Sequence, residues 1–120
     1  MRNELWLSLE KKYRPWIDFD HLPFYSRGAG WQRQLHIYEV PLYYIDYCMA
    51  QTVAFQFRSL SRENYTNAWQ RYLTFVDKAG TATFAEPVES AGLMVPYLPG
   101  CIKEIGESIS GWLEQHELTV

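Results

Sequence analysis

Apolar positions recur at helical spacing along most of this chain, and strand-like alternation is weak throughout. Leu5, Trp6, Leu9 and Tyr13 predict a helix over Asn3 to Tyr13, which Pro15 closes because proline cannot continue the ladder. Residues 18–30 read as irregular: Pro23 and the Gly28-Ala29-Gly30 run suit turns and close backbone approach. Trp31 to Val40 fits either a short extended segment or a helical turn. Pro41 suits the first position of a helix, and that helix is predicted to run to Leu60. From Leu42 to Phe55 it is apolar nearly all round, a pattern that belongs in an interior.

An amphipathic helix is predicted from Arg62 to Ala79. Its stripe is Tyr65, Ala68, Trp69, Tyr72, Leu73 and Val76, and Gly80 is placed to end it. Thr83 to Glu86 matches a capping box that opens a short helix ending at Gly92, with Pro87 awkward inside it. The last helix runs from Gly100 to Gln115, with Ile102, Ile105, Ile109, Trp112 and Leu113 on one face. The pattern predicts an all-α segment of about five helices, with residues 1–120 as one unit.

Composition sharpens the picture in one respect. Of the 120 residues, 48% are hydrophobic and 17% aromatic, more apolar surface than one small core hides. The expectation is a partner: another part of a larger protein, or a second copy of this chain in a homo-oligomer. A net charge of −3 argues against a nucleic-acid binder. The one basic cluster, Lys11, Lys12 and Arg14, reads as a solvated helix face. Cys48 and Cys101 both lie in apolar stretches outside any CxxC, so two buried thiols in a reducing compartment are expected. The chain opens without the charged-then-apolar pattern of a signal peptide, and no run is long enough to span a membrane. A cytoplasmic location is the expectation.

Candidate chemistry is sparse until residue 31. The histidines are His21, His36 and His116, with no HExxH and no i, i+4 histidine pair, so no metal site is assigned within the chain. Asp18, Asp20 and His21 stand close enough in sequence to ligate a metal, but a turn held by local side-chain bonds explains them as well. His116 sits near the last helix's C-terminal end, where a cation suits the dipole. Between Trp31 and Gln51 the chain differs: Arg33, Gln34, His36, Tyr44, Asp46, Tyr47 and Gln51 are threaded through apolar sequence. Tyr44 and Tyr47 lie three apart, and Tyr43 and Tyr47 four apart, so each pair shares a helix face. A phenol donating into a dry cleft suits a developing oxyanion, and His36 precedes the tyrosines on the same approach. The competing reading makes the tyrosines core residues and Arg33–Asp46 a structural ion pair.

Arg33-Gln34, His36-Ile37-Tyr38, Pro41-Leu42-Tyr43-Tyr44-Ile45-Asp46-Tyr47 and Ala50-Gln51 resemble a motif of the peptidase M3 family, in its oligoendopeptidase F branch. Phe84, Glu86, Val88, Ala91, Gly92, Leu93 and Pro96 resemble a second block of that family, and Gly100 with Trp112-Leu113 its terminal helix. The likeness covers about Tyr13 to Leu118.

The resemblance implies the C-terminal part of the catalytic domain of a helical zinc endopeptidase acting on short peptides. It implies that His36, Tyr44 and Tyr47 act at the scissile carbonyl in a complete enzyme, and that Arg33, Gln34 and Tyr43 bind substrate. Zinc belongs, on this likeness, to an HExxH-bearing part that precedes the region present here. Pro87 stands where the family usually has leucine. The chain would then be inactive alone and need the HExxH-bearing part as partner. The alternative is a non-catalytic, oligomeric module on the same fold that binds peptide.

Overall fold

The computed structural model describes residues 1–116, so the last two positions of the family likeness, Glu117 and Leu118, lie outside the described residues. The described residues are helical without strands: α1 (Arg2–Tyr13), α2 (Pro23–Ser26), a 3-10 turn (Ala29–Arg33), α3 (Leu35–Glu39), α4 (Tyr44–Glu63), α5 (Tyr65–Asp77), α6 (Ala85–Ser90) and α7 (Cys101–Glu114). The class is all-α, with four helices of real length. The chain divides into two compact units, Met1–Ile45 and the chain from Asp46 onward. The division falls in the first turn of α4.

In the first unit, α1 packs on the 3-10 turn, and glycine makes the approach possible. A Cβ on Gly28, which sits at φ +74°, would stand 2.1 Å from the Asn3 carbonyl oxygen. One on Gly30 would meet the Trp6 indole nitrogen at 2.9 Å. The Trp31 indole N–H donates to Asn3 Oδ1 at 2.8 Å, tying turn to helix. The stripe expected to bury α1 does not: Leu5, Leu9 and Tyr13 are exposed, while Trp6 is half-buried and Glu10 buried in an ion pair with Arg14. The ambiguous stretch before Pro41 resolves as the single helical turn of α3.

In the second unit the core is Val53, Val88, Ala91, Leu93 and Val95, with Phe57, Leu60, Phe75 and Ala85 packed on it. Gln56 on α4 holds the following loop by both halves of its amide. Nε2 donates to the Met94 carbonyl and Oε1 accepts from the Met94 N–H, each at 2.8 Å. This gives partners to both backbone polar groups of Met94, whose carbonyl also accepts from the Cys101 thiol. Arg71 on α5 donates to the Ala91 and Gly92 carbonyls at the end of α6.

Several boundaries differ from the pattern-based expectation. α4 begins at Tyr44, not Pro41, and runs on to Glu63. The break comes at Asn64, extended at φ −154°, whose Oδ1 accepts the Asn67 N–H at 3.0 Å and so caps α5. An N-cap asparagine, unread in the sequence, splits what patterning assigned to Arg62 onward. On α5 the buried position is Ala68, with Phe75 half-buried beside the core, and most of the aromatic stripe is exposed.

Pro87 causes no disruption. It is the third residue of α6, in the first turn, where its missing N–H would have had no intrahelical partner. The capping box forms only in part: the Thr83 N–H and hydroxyl both donate to Glu86 Oε1, at 3.4 and 2.9 Å. Cys101 is buried as expected and burial, aided by nearby Glu104, pushes its thiol pKa up. Cys48 is exposed, contrary to expectation, because it lies on the uncovered first half of α4.

Candidate active-site segment

The segment from Ala29 to Tyr47 is built from short pieces whose geometry is set by a tight link. The α3 helix ends with the Val40 N–H on the His36 carbonyl at 3.1 Å, and the Tyr43 N–H then reaches the Val40 carbonyl at 3.2 Å. Val40-Pro41-Leu42-Tyr43 is thus a four-residue turn with proline second and Leu42 third, at φ +71°. That is the pattern of a type II turn, whose third position favours glycine. Leu42 holds the strained conformation with its side chain 91% exposed. Pro41 serves the turn, which is why the helix starts three residues later than its position suggests.

The turn brings the aromatic groups together. The His36 ring stacks on Tyr43 at 5.9 Å between centroids and 24° between planes, and tilts against Tyr44 at 5.2 Å and 37°. His36 is half-buried, while Tyr43 and Tyr44 are exposed. Tyr43 lies in the turn rather than on the helix. Tyr44 and Tyr47 are both on α4, three residues apart, and Tyr47 is 52% exposed.

Gln34 is the residue that enters α3 and is half-buried. Arg33 points elsewhere: its guanidinium donates to the Tyr25 hydroxyl and lies 5.6 Å from the centre of that ring. Tyr25 is a participant that no motif signals, although its place eight residues upstream, beside the glycine run, puts it within reach. Asp18 and Asp20 take the turn role, with Asp18 Oδ1 accepting the Asp20 N–H at 2.8 Å. Among the described residues no three histidine, cysteine or acidic side chains gather to hold a metal ion. No helix among them is long and apolar enough to cross a membrane.

Over 96% of its length the chain superposes with a TM-score of 0.88 on PZ peptidase A, solved with an inhibitor, at 43% sequence identity. A second solved structure, described as an oligoendopeptidase F, matches over the same share at 37% identity, again with a TM-score of 0.88. In sequence and fold the chain is similar to a segment of the oligoendopeptidase F type of M3 peptidases.

It spans 20% of the length of each of those two structures. No protein-family model matches the chain, and no curated protein does.

Proposed function

We propose that this chain is the C-terminal part of a zinc oligoendopeptidase, supplying groups that bind a short peptide and stabilise the tetrahedral intermediate, and that it is inactive alone. The observation that carries the reading is the convergence of His36 on Tyr43 and Tyr44, on a segment whose sequence and fold are those of oligoendopeptidase F. The zinc-bearing HExxH part is its partner in this reading. When bound there, zinc supplies an activated water and polarises the scissile carbonyl.

The chain's own contribution is hydrogen bonding. The Tyr44 and Tyr47 phenols donate to the carbonyl oxygen as negative charge develops on it, and the His36 imidazole donates beside them. Such donors act most strongly once water is excluded. The apolar, exposed face around Ile45 is suited to that covering, since an uncovered first half of α4 leaves the tyrosines in water. Gln34 and Tyr43 line the approach and bind the peptide backbone, with Tyr43 also bracing the His36 ring, while Arg33 shapes the approach through its contact with Tyr25.

The test uses zinc content together with cleavage of a quenched fluorescent peptide. The chain alone is expected to bind no stoichiometric zinc and to cleave nothing; mixed with an HExxH-bearing N-terminal part it cleaves. A mixture that associates but stays inactive sinks the catalytic reading and favours the non-catalytic, peptide-binding oligomer.

A further inference from the structure

Far along the chain from the tyrosine turn, α4 and α7 meet along a groove lined by Ser59, Glu63, Glu104 and Ser108, and beside it stands a cluster of hydrogen-bond donors and cations. The two helices touch through Ser59 and Ser108, whose hydroxyl oxygens are 2.9 Å apart. One turn further along α7 stands Trp112. The Arg58 guanidinium carbon lies 4.3 Å from the centre of its ring, and that of Arg62 5.3 Å. The His116 imidazole stacks on the same indole at 4.3 Å and 22°. His116 Nδ1 is 2.8 Å from the Trp112 carbonyl oxygen and so carries the hydrogen of that bond.

Two features make the group incomplete. Arg58 and Arg62 are one helical turn apart, where like charges repel, and among the described residues neither guanidinium has an ion-pair partner. The Trp112 indole N–H is buried and has no acceptor. A buried donor without a partner forfeits its hydration with nothing in return. Two guanidinia and an indole N–H all lack the same thing, an oxygen that accepts hydrogen bonds and carries negative charge. The planar fork of arginine fits a carboxylate in particular.

We propose that Arg58, Arg62 and Trp112 form a receptor for a carboxylate group presented by a peptide, either a free C-terminus or an acidic side chain. The indole positions Arg58 and Arg62 by cation–π attraction, so that a carboxylate is met by an ordered pair rather than by two freely moving side chains. The proposal stands on the α4–α7 geometry and does not depend on the peptidase reading.

The indole N–H signal of Trp112 in a nitrogen–proton correlation spectrum, assigned with Trp112→Phe, reads the site directly. The probes are acetyl-Gly-Ser-Gly-Ser-Gly with a free C-terminal carboxylate, the same peptide as its C-terminal amide, and the amide with a central glutamate. The free carboxylate or the glutamate peptide is expected to shift the Trp112 signal and the plain amide is not; which of the first two acts identifies the source of the carboxylate. Arg58→Gln with Arg62→Gln is expected to weaken binding roughly tenfold, the scale of lost charge-assisted hydrogen bonds. Should the double variant fail to fold, Arg62→Gln alone, at an exposed side chain, must weaken binding severalfold. No shift with either carboxylate, an equal shift with the plain amide, or undiminished binding by the arginine variants overturns the proposal.

Discussion

The two halves of α4 lead different lives. From Thr52 onward the helix is anchored: Val53 is buried in the core, Gln56 clamps Met94, and Phe57 packs edge-on against Tyr72 and Phe75. From Tyr44 to Gln51 nothing is buried, although the sequence there is the more apolar. Ile45, at 59% exposed, is as greasy as any core residue. Apolar character therefore marks a packed core in one half and an exposed surface in the other.

Charge substitutions separate the halves most sharply. Val88→Asp, at a position with no exposure in the core beneath α4, is expected to destabilise its unit by ~3–5 kcal/mol, since an unpaired charge is buried. Ile45→Asp is expected to change the stability of the chain alone by less than ~0.5 kcal/mol, as at other exposed sites. Denaturant titration reads both, and comparable losses would erase the distinction between the two halves. Gln56→Ala is next in size. It leaves the Met94 N–H without its acceptor and the Met94 carbonyl with only the weak Cys101 thiol as donor, and a loss of roughly 1–3 kcal/mol is expected.

A smaller effect, of opposite sign, is expected at the turn before α4. Leu42→Gly relieves a left-handed conformation costly for leucine and should stabilise the chain by about 1 kcal/mol. A destabilised variant would mean that the leucine side chain, rather than the backbone, is what the position requires.

The thiols give the mildest contrast. Cys48 should react with iodoacetamide in the native state at mildly alkaline pH, and Cys101 only on unfolding. Because burial raises the Cys101 pKa, its protonated form is favoured in the fold. That stabilisation is complete below the ordinary thiol range and declines as pH climbs through the raised value. Cys101→Ala should shrink the alkaline loss, and an unchanged pH profile would show that the buried thiol contributes nothing to it.

The same contrast explains what the sequence revealed. Helical class was legible because apolar spacing persists over long stretches, and the Gly28-Ala29-Gly30 run announced a close approach that Asn3 and Trp6 make good. Burial was less legible. Leu5, Trp69 and Cys48 have core-like neighbours in sequence, yet what decides their exposure is whether another element reaches them. Boundaries failed where a side chain outweighed periodicity, as at Asn64, whose cap divides α4 from α5. The turn at Pro41-Leu42 was hidden for a related reason: leucine gives no sign of a positive φ, and proline is equally at home opening a helix. His36, Tyr43 and Tyr44 could be singled out from the resemblance, whereas the Arg33–Tyr25 contact required the fold.

The central claim is that the exposed half of α4 and the turn before it complete a site carried by another part of the enzyme. Cleavage of the quenched peptide by the chain mixed with an HExxH-bearing part, with and without His36→Ala and Tyr47→Phe, tests it most directly. The account predicts that both variants still associate with the partner but lose roughly 100-fold or more in kcat, the scale of a lost oxyanion donor, with a smaller change in KM. Variants that cleave as fast as the wild-type chain would contradict it, leaving His36 and Tyr47 as residues that shape the turn and the helix and take no part in the chemistry.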